Sequence, residues 1–283
     1  MLMKQHHYLT RLRSPNQNGL TLLELLVVIA VSGILAALLL VGLTRGVGLA
    51  RKTYCMNNVR QLGHALQTFI GENHAYPLES NPNFNKGSYP NHFDFWNLAL
   101  DHELGYENSS HVASYLDKGI WKCPAAVEPP NWPENVGNNG NAKHVYVSYG
   151  YNSRGMSAAT DTNCLGIGSL NLPRQASSTF TPVPESEIVN PSEMMALGDG
   201  FVGQGNMILG GESRLWRTYD LPSSLKADAA DVSRHYGKAN VLFCDGHVES
   251  PKLQFLFSNT SDVALARWNR DHQPHRELLL PLP

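Results

Sequence analysis

The chain has 283 residues, with 22 Lys+Arg against 24 Asp+Glu and a formal net charge of −2. That near balance, with no clustered Lys or Arg, excludes the electrostatic footprint of a nucleic-acid-binding protein. Pro and Gly together number 41, which points to short strands joined by long turns rather than to a bundle of helices.

Residues 1–19 carry Lys4, Arg11 and Arg13 and no acid. From Leu25 to Thr44 there is no charged residue. A run of about 20 residues rising ~1.5 Å each makes ~30 Å of helix, the thickness of a bilayer's hydrocarbon core. One carboxylate, Glu24, sits just inside its start. An acid in an apolar helix is costly in lipid and needs a reason to be there. The basic leader predicts a single membrane pass with a cytoplasmic N-terminus and everything after Thr44 facing the periplasm or the cell surface. Two simpler explanations fit less well. A secretory signal peptide has an apolar core of about 7–15 residues, and a plain signal anchor leaves Glu24 without a role.

Gly19-Leu20-Thr21-Leu22-Leu23-Glu24, after a short basic leader and before an unbroken apolar run, closely resembles the class III signal of type IV prepilins and type II secretion pseudopilins. The resemblance implies cleavage between Gly19 and Leu20 by a prepilin peptidase, which also methylates the new N-terminus. Leu20 stands where that family usually has Phe. Glu24 takes the family's acidic position, which is thought to attract the N-terminal amine of a neighbouring subunit during assembly. Without the leader, the formal charge becomes about −5.

Helical character continues past the apolar run. From Arg45 to about Glu72 there is no Pro, and Cys55, Val59, Leu62, Leu66 and Phe69 recur at spacings of 4, 3, 4 and 3. That is one apolar face of an amphipathic helix. Gly42, Gly46 and Gly48 mark the place where such a helix is easiest to kink. The expected segments are a cleaved leader (1–19), the membrane half of the helix (20–44), its amphipathic half (45–74), a β-rich head (75–266) and a loosely docked C-terminal tail (267–283). The fold class is α+β and pilin-like, a long N-terminal helix followed by a β-rich globular head.

Within the head, a short helix is expected over 95–104. Strands are expected at 144–152, 179–183, 194–197 and 206–209. A hairpin spans 239–250, with Asp245-Gly246 as a tight two-residue turn. His235, followed after nine residues by Asp245-Gly246, resembles the H-X9-DG element of a large family of pilin-like proteins with no assigned activity. The segments 55–66, 121–124, 148–152 and 196–200 fit the same family. This second resemblance favours a Cys55–Cys123 disulfide and leaves Cys164 and Cys244 as a second pair or as buried free thiols. Four cysteines allow three connectivities.

Asp199, His235, Asp245 and His247 are the right residue types for a metal or acid/base site. The structural alternative is favoured: Asp245 and Gly246 form the turn, and His235 and His247 make hydrogen bonds. No cofactor is then needed, although a structural Ca²⁺ or Zn²⁺ is the competing reading. No nucleophile elbow, P-loop or CxxC motif occurs, and no enzymatic activity is expected. The expected function is a processed, N-methylated structural subunit of a type II secretion pseudopilus or type IV pilus-like fibre. Its partners are then the prepilin peptidase, an assembly platform and other pilin-like subunits. Trp96, Trp121 and Trp132, near Asn/Pro-rich loops, suggest an alternative: an anchored module that stacks sugars. A metallohydrolase around His235 and Asp245 is a weaker option.

Overall fold

The computed structural model describes residues 19, 21–79, 96–106, 119–126, 148–156, 164–168, 181–200, 202–203, 206–207, 234–257 and 259–278. Helix α1 (Leu22–Asn73) is continuous through all three junction glycines. The chain divides between Val47 and Gly48 into two compact units.

The first unit contains the apolar half of α1. Its side chains lie open to the surroundings, with Leu22, Leu38 and Leu39 each more than two-thirds exposed. A helix this long and apolar is able to cross a membrane. Exposure of so many large aliphatic groups is not sustainable in water.

The second unit builds its core on the other half of α1. Cys55, Val59, Leu62, Leu66 and Phe69, the face marked out by periodicity, are all buried, together with Ala65 and Ile70. α1 ends where His74 turns left-handed (φ 51°), with the Asn73 side chain donating back to the Phe69 carbonyl at 2.9 Å. Such a left-handed residue is a common way to stop a helix. α2 (Trp96–Glu103) follows and contributes Leu98, Ala99 and Leu100 to the interior.

A four-stranded antiparallel sheet has the order β1 (Tyr149–Tyr151), β2 (Met195–Asp199), β5 (Val241–Phe243), β6 (Val248–Glu249). A separate pair, β3 (Val202–Gly203) and β4 (Asn206–Met207), forms a small ladder. Alternation sends successive side chains to opposite faces. Leu242 and Cys244 join the core against α1, whereas Val241 and Phe243 join a second core. A register shift between Met195 and Leu197 changes the face of β2 midway, the behaviour of a bulge. α3 (Leu253–Phe257) and α4 (Asp262–Ala266) cover the second face with Leu253, Leu256 and Leu265.

Three expectations need correction. The loosely docked tail is integral up to Leu278, because Trp268 is fully buried in the second core and Asn269 caps nearby backbone. Residues 181–183 form no ladder strand; Tyr76 N–H donates to the Val183 carbonyl beside an isolated bridge between Ala75 and Pro184. The hairpin connection has three residues, not two. Phe243 N–H donates to the His247 carbonyl and Gly246 N–H to the Phe243 carbonyl, with φ +93° at Gly246. A three-residue loop closed by a left-handed glycine keeps the strand twist that a two-residue turn supplies with two left-handed positions.

Candidate functional site

At the start of α1, Thr21 and Glu24 hold each other. Thr21 N–H and its hydroxyl donate to Glu24 Oε2 at 2.8 and 2.9 Å, and Glu24 N–H donates to Thr21 Oγ1 at 3.2 Å. This is a capping box, which satisfies backbone donors that a helix N-terminus otherwise leaves open. Its sequence signature, Thr-x-x-Glu before an apolar run, lies in plain view at 21–24 and escaped the sequence reading. Gly19 is exposed, and a Cβ built on it meets no atom within 4 Å; Leu20 lies outside the described residues.

The model for the prokaryotic N-terminal methylation motif matches residues 14–40. The chain therefore carries an N-terminal methylation motif of the prepilin type. The match takes in the capping box and most of the apolar run, and it ends well before the H-X9-DG element. No curated protein and no solved structure gives a significant match. A prepilin-type motif implies processing by a prepilin peptidase and assembly with other pilins in a membrane system.

The second unit contains another constellation, held by four separate elements. Cys55 on the buried face of α1 is disulfide-bonded to Cys123 with Cα atoms 5.1 Å apart. Cys123 is brought there by a short 3-10 turn (Gly119–Trp121) and by Asn58, which donates to the Lys122 carbonyl at 3.1 Å. His235 Nε2 lies 3.2 Å from Cys123 Sγ and 3.4 Å from Asp199 Oδ2. Asp199 ends β2, and its Oδ2 accepts from the Asn240 backbone at 2.6 Å and from the Asn240 side chain at 3.0 Å. Ser250 in turn donates to Asn240 at 2.8 Å.

The environment of this cluster is dry. Cys55, Cys123 and Asp199 are fully buried and His235 is 4% exposed. His235 Nδ1 and Asp199 Oδ1 have no hydrogen-bond partner among the described residues. His235 also adopts φ 55°, followed by left-handed Tyr236 (φ 60°) and Gly237 (φ 72°). Positive φ at two consecutive non-glycine residues is strained.

The four residues singled out as metal candidates therefore do not form one site. Asp199 and His235 meet inside the head. Asp245 and His247 pair at the hairpin surface, 2.6 Å apart and each more than a third exposed. Among the described residues, the group able to hold a metal is Cys55, Cys123 and His235, whose donor atoms all lie within 4.8 Å of one another. The sequence carries no spacing signal for this set, because its members come from three distant segments.

Of the two outcomes open for Cys164 and Cys244, the structure shows the second: both are buried and neither is in a disulfide. They belong to different parts of the interior, with Cys244 beside Tyr76 in the α1 core. Burial pushes the Cys244 thiol up to about 12, with the Tyr76 hydrogen bond opposing and the Asp245 charge adding. Two of the three tryptophans proposed as sugar platforms are spent on the core. Trp121 is buried and donates to Asp101 at 2.6 Å. Trp96 stacks on Tyr151, with centroids 5.2 Å apart. Trp132 lies outside the described residues.

Proposed function

We propose that the chain is cleaved between Gly19 and Leu20, N-methylated on Leu20, and assembled as a structural subunit of a type II secretion pseudopilus or type IV pilus-like fibre. On this reading residues 1–19 are the leader, 20–44 cross the inner membrane, and the head lies on the periplasmic side or in the fibre. The observation that carries it is the match over 14–40 at the start of a helix whose first half is apolar and exposed. Those exposed side chains need lipid before assembly and other apolar helices after it.

Glu24 then has two duties that can be separated. It caps its own helix through Thr21, and it offers a carboxylate to the amine of a neighbouring subunit. Glu24→Gln keeps the capping geometry and removes the charge, whereas Thr21→Ala removes the cap and keeps the charge. Membrane insertion should survive both. Incorporation into fibres, measured by shearing and immunoblotting against the membrane fraction, should be lost in Glu24→Gln and retained in Thr21→Ala. Normal incorporation of Glu24→Gln contradicts the assembly role.

A further inference from the structure

The Cys–His–Asp cluster is not used by processing or assembly, and its chemistry does not depend on either. In the disulfide form His235 is poorly employed. Its Nε2 is divided between a disulfide sulfur, a weak acceptor, and Asp199 Oδ2 at 3.4 Å, while Nδ1 has no partner among the described residues. Asp199 likewise leaves Oδ1 unpartnered in a site with no exposure. Buried polar atoms without partners are uncommon and ask for a physical reason. The strained backbone at His235 sharpens the question, since strain persists only where the surroundings impose it.

We propose that in its dithiol state this cluster binds one thiophilic divalent cation of the zinc class. Cys55 Sγ, Cys123 Sγ and His235 Nε2 are the ligands, and Asp199 closes the fourth position. Two thiolates and an imidazole are a donor set that favours Zn²⁺ over the oxygen-seeking Ca²⁺ or Mg²⁺. Bonds of about 2.3 Å to sulfur and 2.0 Å to nitrogen place neighbouring donors of a tetrahedral ion roughly 3.5 Å apart. The separations of His235 Nε2 from Cys123 Sγ (3.2 Å) and from Asp199 Oδ2 (3.4 Å) are of that size. Asn240 and Ser250 hold the carboxylate in place from behind, the outer-shell support that ligands of a metal site usually receive.

The two uses of the sulfurs exclude each other. Metal binding converts two thiols to thiolates and releases two protons. Disulfide formation transfers two electrons to a disulfide oxidant: Cys55–SH and Cys123–SH react with R–S–S–R to give the Cys55–Cys123 bond and two R–SH. Either product staples α1 to the same segment of the head, so the chain has a metal staple before oxidation and a covalent one after it.

The test uses the full chain in detergent micelles, reduced with a phosphine under argon and freed of metal by chelation. Equilibrium dialysis against Zn²⁺ should give one tightly held ion per chain. Co²⁺ should produce thiolate-to-metal charge transfer and the visible bands of a tetrahedral site. The disulfide form should bind neither. Cys55→Ser and His235→Ala should abolish stoichiometric binding, Asp199→Asn should weaken it about 10–100-fold, and Cys164→Ser should leave it unchanged. His235→Ala should still form the Cys55–Cys123 disulfide on oxidation, which reports a native fold independently of metal. If the reduced chain loses its structure on chelation, Zn²⁺ should restore it. A reduced chain that binds no Zn²⁺, whether folded or unfolded, overturns the proposal. So does binding that survives both Cys55→Ser and His235→Ala.

Discussion

Removing the Cys55–Cys123 bond is the perturbation whose size follows most directly from the structure. The bond closes a loop of 68 residues, for which the loop-entropy expression, about −2.1 − 1.5R ln n cal/mol/K, corresponds to about 4.4 kcal/mol at 25 °C. Small domains are stable by only about 5–15 kcal/mol, so this single link accounts for a large share of the head's stability. Alanine is the appropriate replacement at both positions. Both sulfurs are fully buried, and a serine hydroxyl there adds the cost of an unsatisfied polar group. Urea titration of the full-length Cys55→Ala/Cys123→Ala protein in micelles, with chelator present, should show a loss of about 2–4.5 kcal/mol relative to the oxidised wild type. The denaturant slope should rise, because the uncrosslinked unfolded chain exposes more surface. Reduction of the wild type in metal-free buffer should reproduce the double variant. A loss below about 1 kcal/mol refutes the reasoning, since it means that the denatured chain gains little freedom when the link is cut.

Two further outcomes test the head. Burial pushes the Glu79 carboxyl up to about 7 from its ordinary 4.5, against the opposing influence of Arg154 and Ser153. The folded state therefore binds this proton more tightly than the unfolded chain, and the stability it contributes below about 4.5 is lost as pH rises through about 7. Glu79→Gln should flatten urea midpoints across that window and raise stability at neutral pH; an unchanged pH dependence contradicts the assignment. At the hairpin, a Cβ on Gly246 meets Gln67 only at an ordinary 3.5 Å, so the cost of substitution is conformational. Gly246→Val should lose about 1–3 kcal/mol, and a thermal melt identical to wild type denies the left-handed turn.

The helical half of the molecule was legible because its signal is periodic. Cys55, Val59, Leu62, Leu66 and Phe69 repeat with the helical period and all lie in the core. α2, β1, β2 and β5 were found within a few residues because apolar runs bounded by turn residues leave few alternatives. The hairpin was placed but its loop was one residue too short, since Asp-Gly serves either connection and only the ladder hydrogen bonds distinguish them. The candidate site was less legible. His235 and Asp199 were singled out by residue type, yet their association with Cys55 and Cys123 depends on tertiary contacts between four distant segments. The same blindness left Cys164 and Cys244 open between a second pair and buried thiols, because counting cysteines says nothing about where in the interior each one lies. Trp268 was placed in a tail because α3 and α4, the five-residue helices before it, are too short to carry a periodic signal; it is buried in the second core with Leu253, Leu256 and Leu265.

Everything proposed for the N-terminus requires that this chain be a substrate of prepilin processing. Mass spectrometry of the protein recovered from the membrane fraction of a host with an active prepilin peptidase reads it directly. The wild type should begin at Leu20 and carry one methyl group on its N-terminal nitrogen, and a Gly19 substitution should leave the leader attached. Recovery of the wild type with an intact leader, or with a start near Ala37 as an ordinary signal peptidase would leave it, contradicts the account.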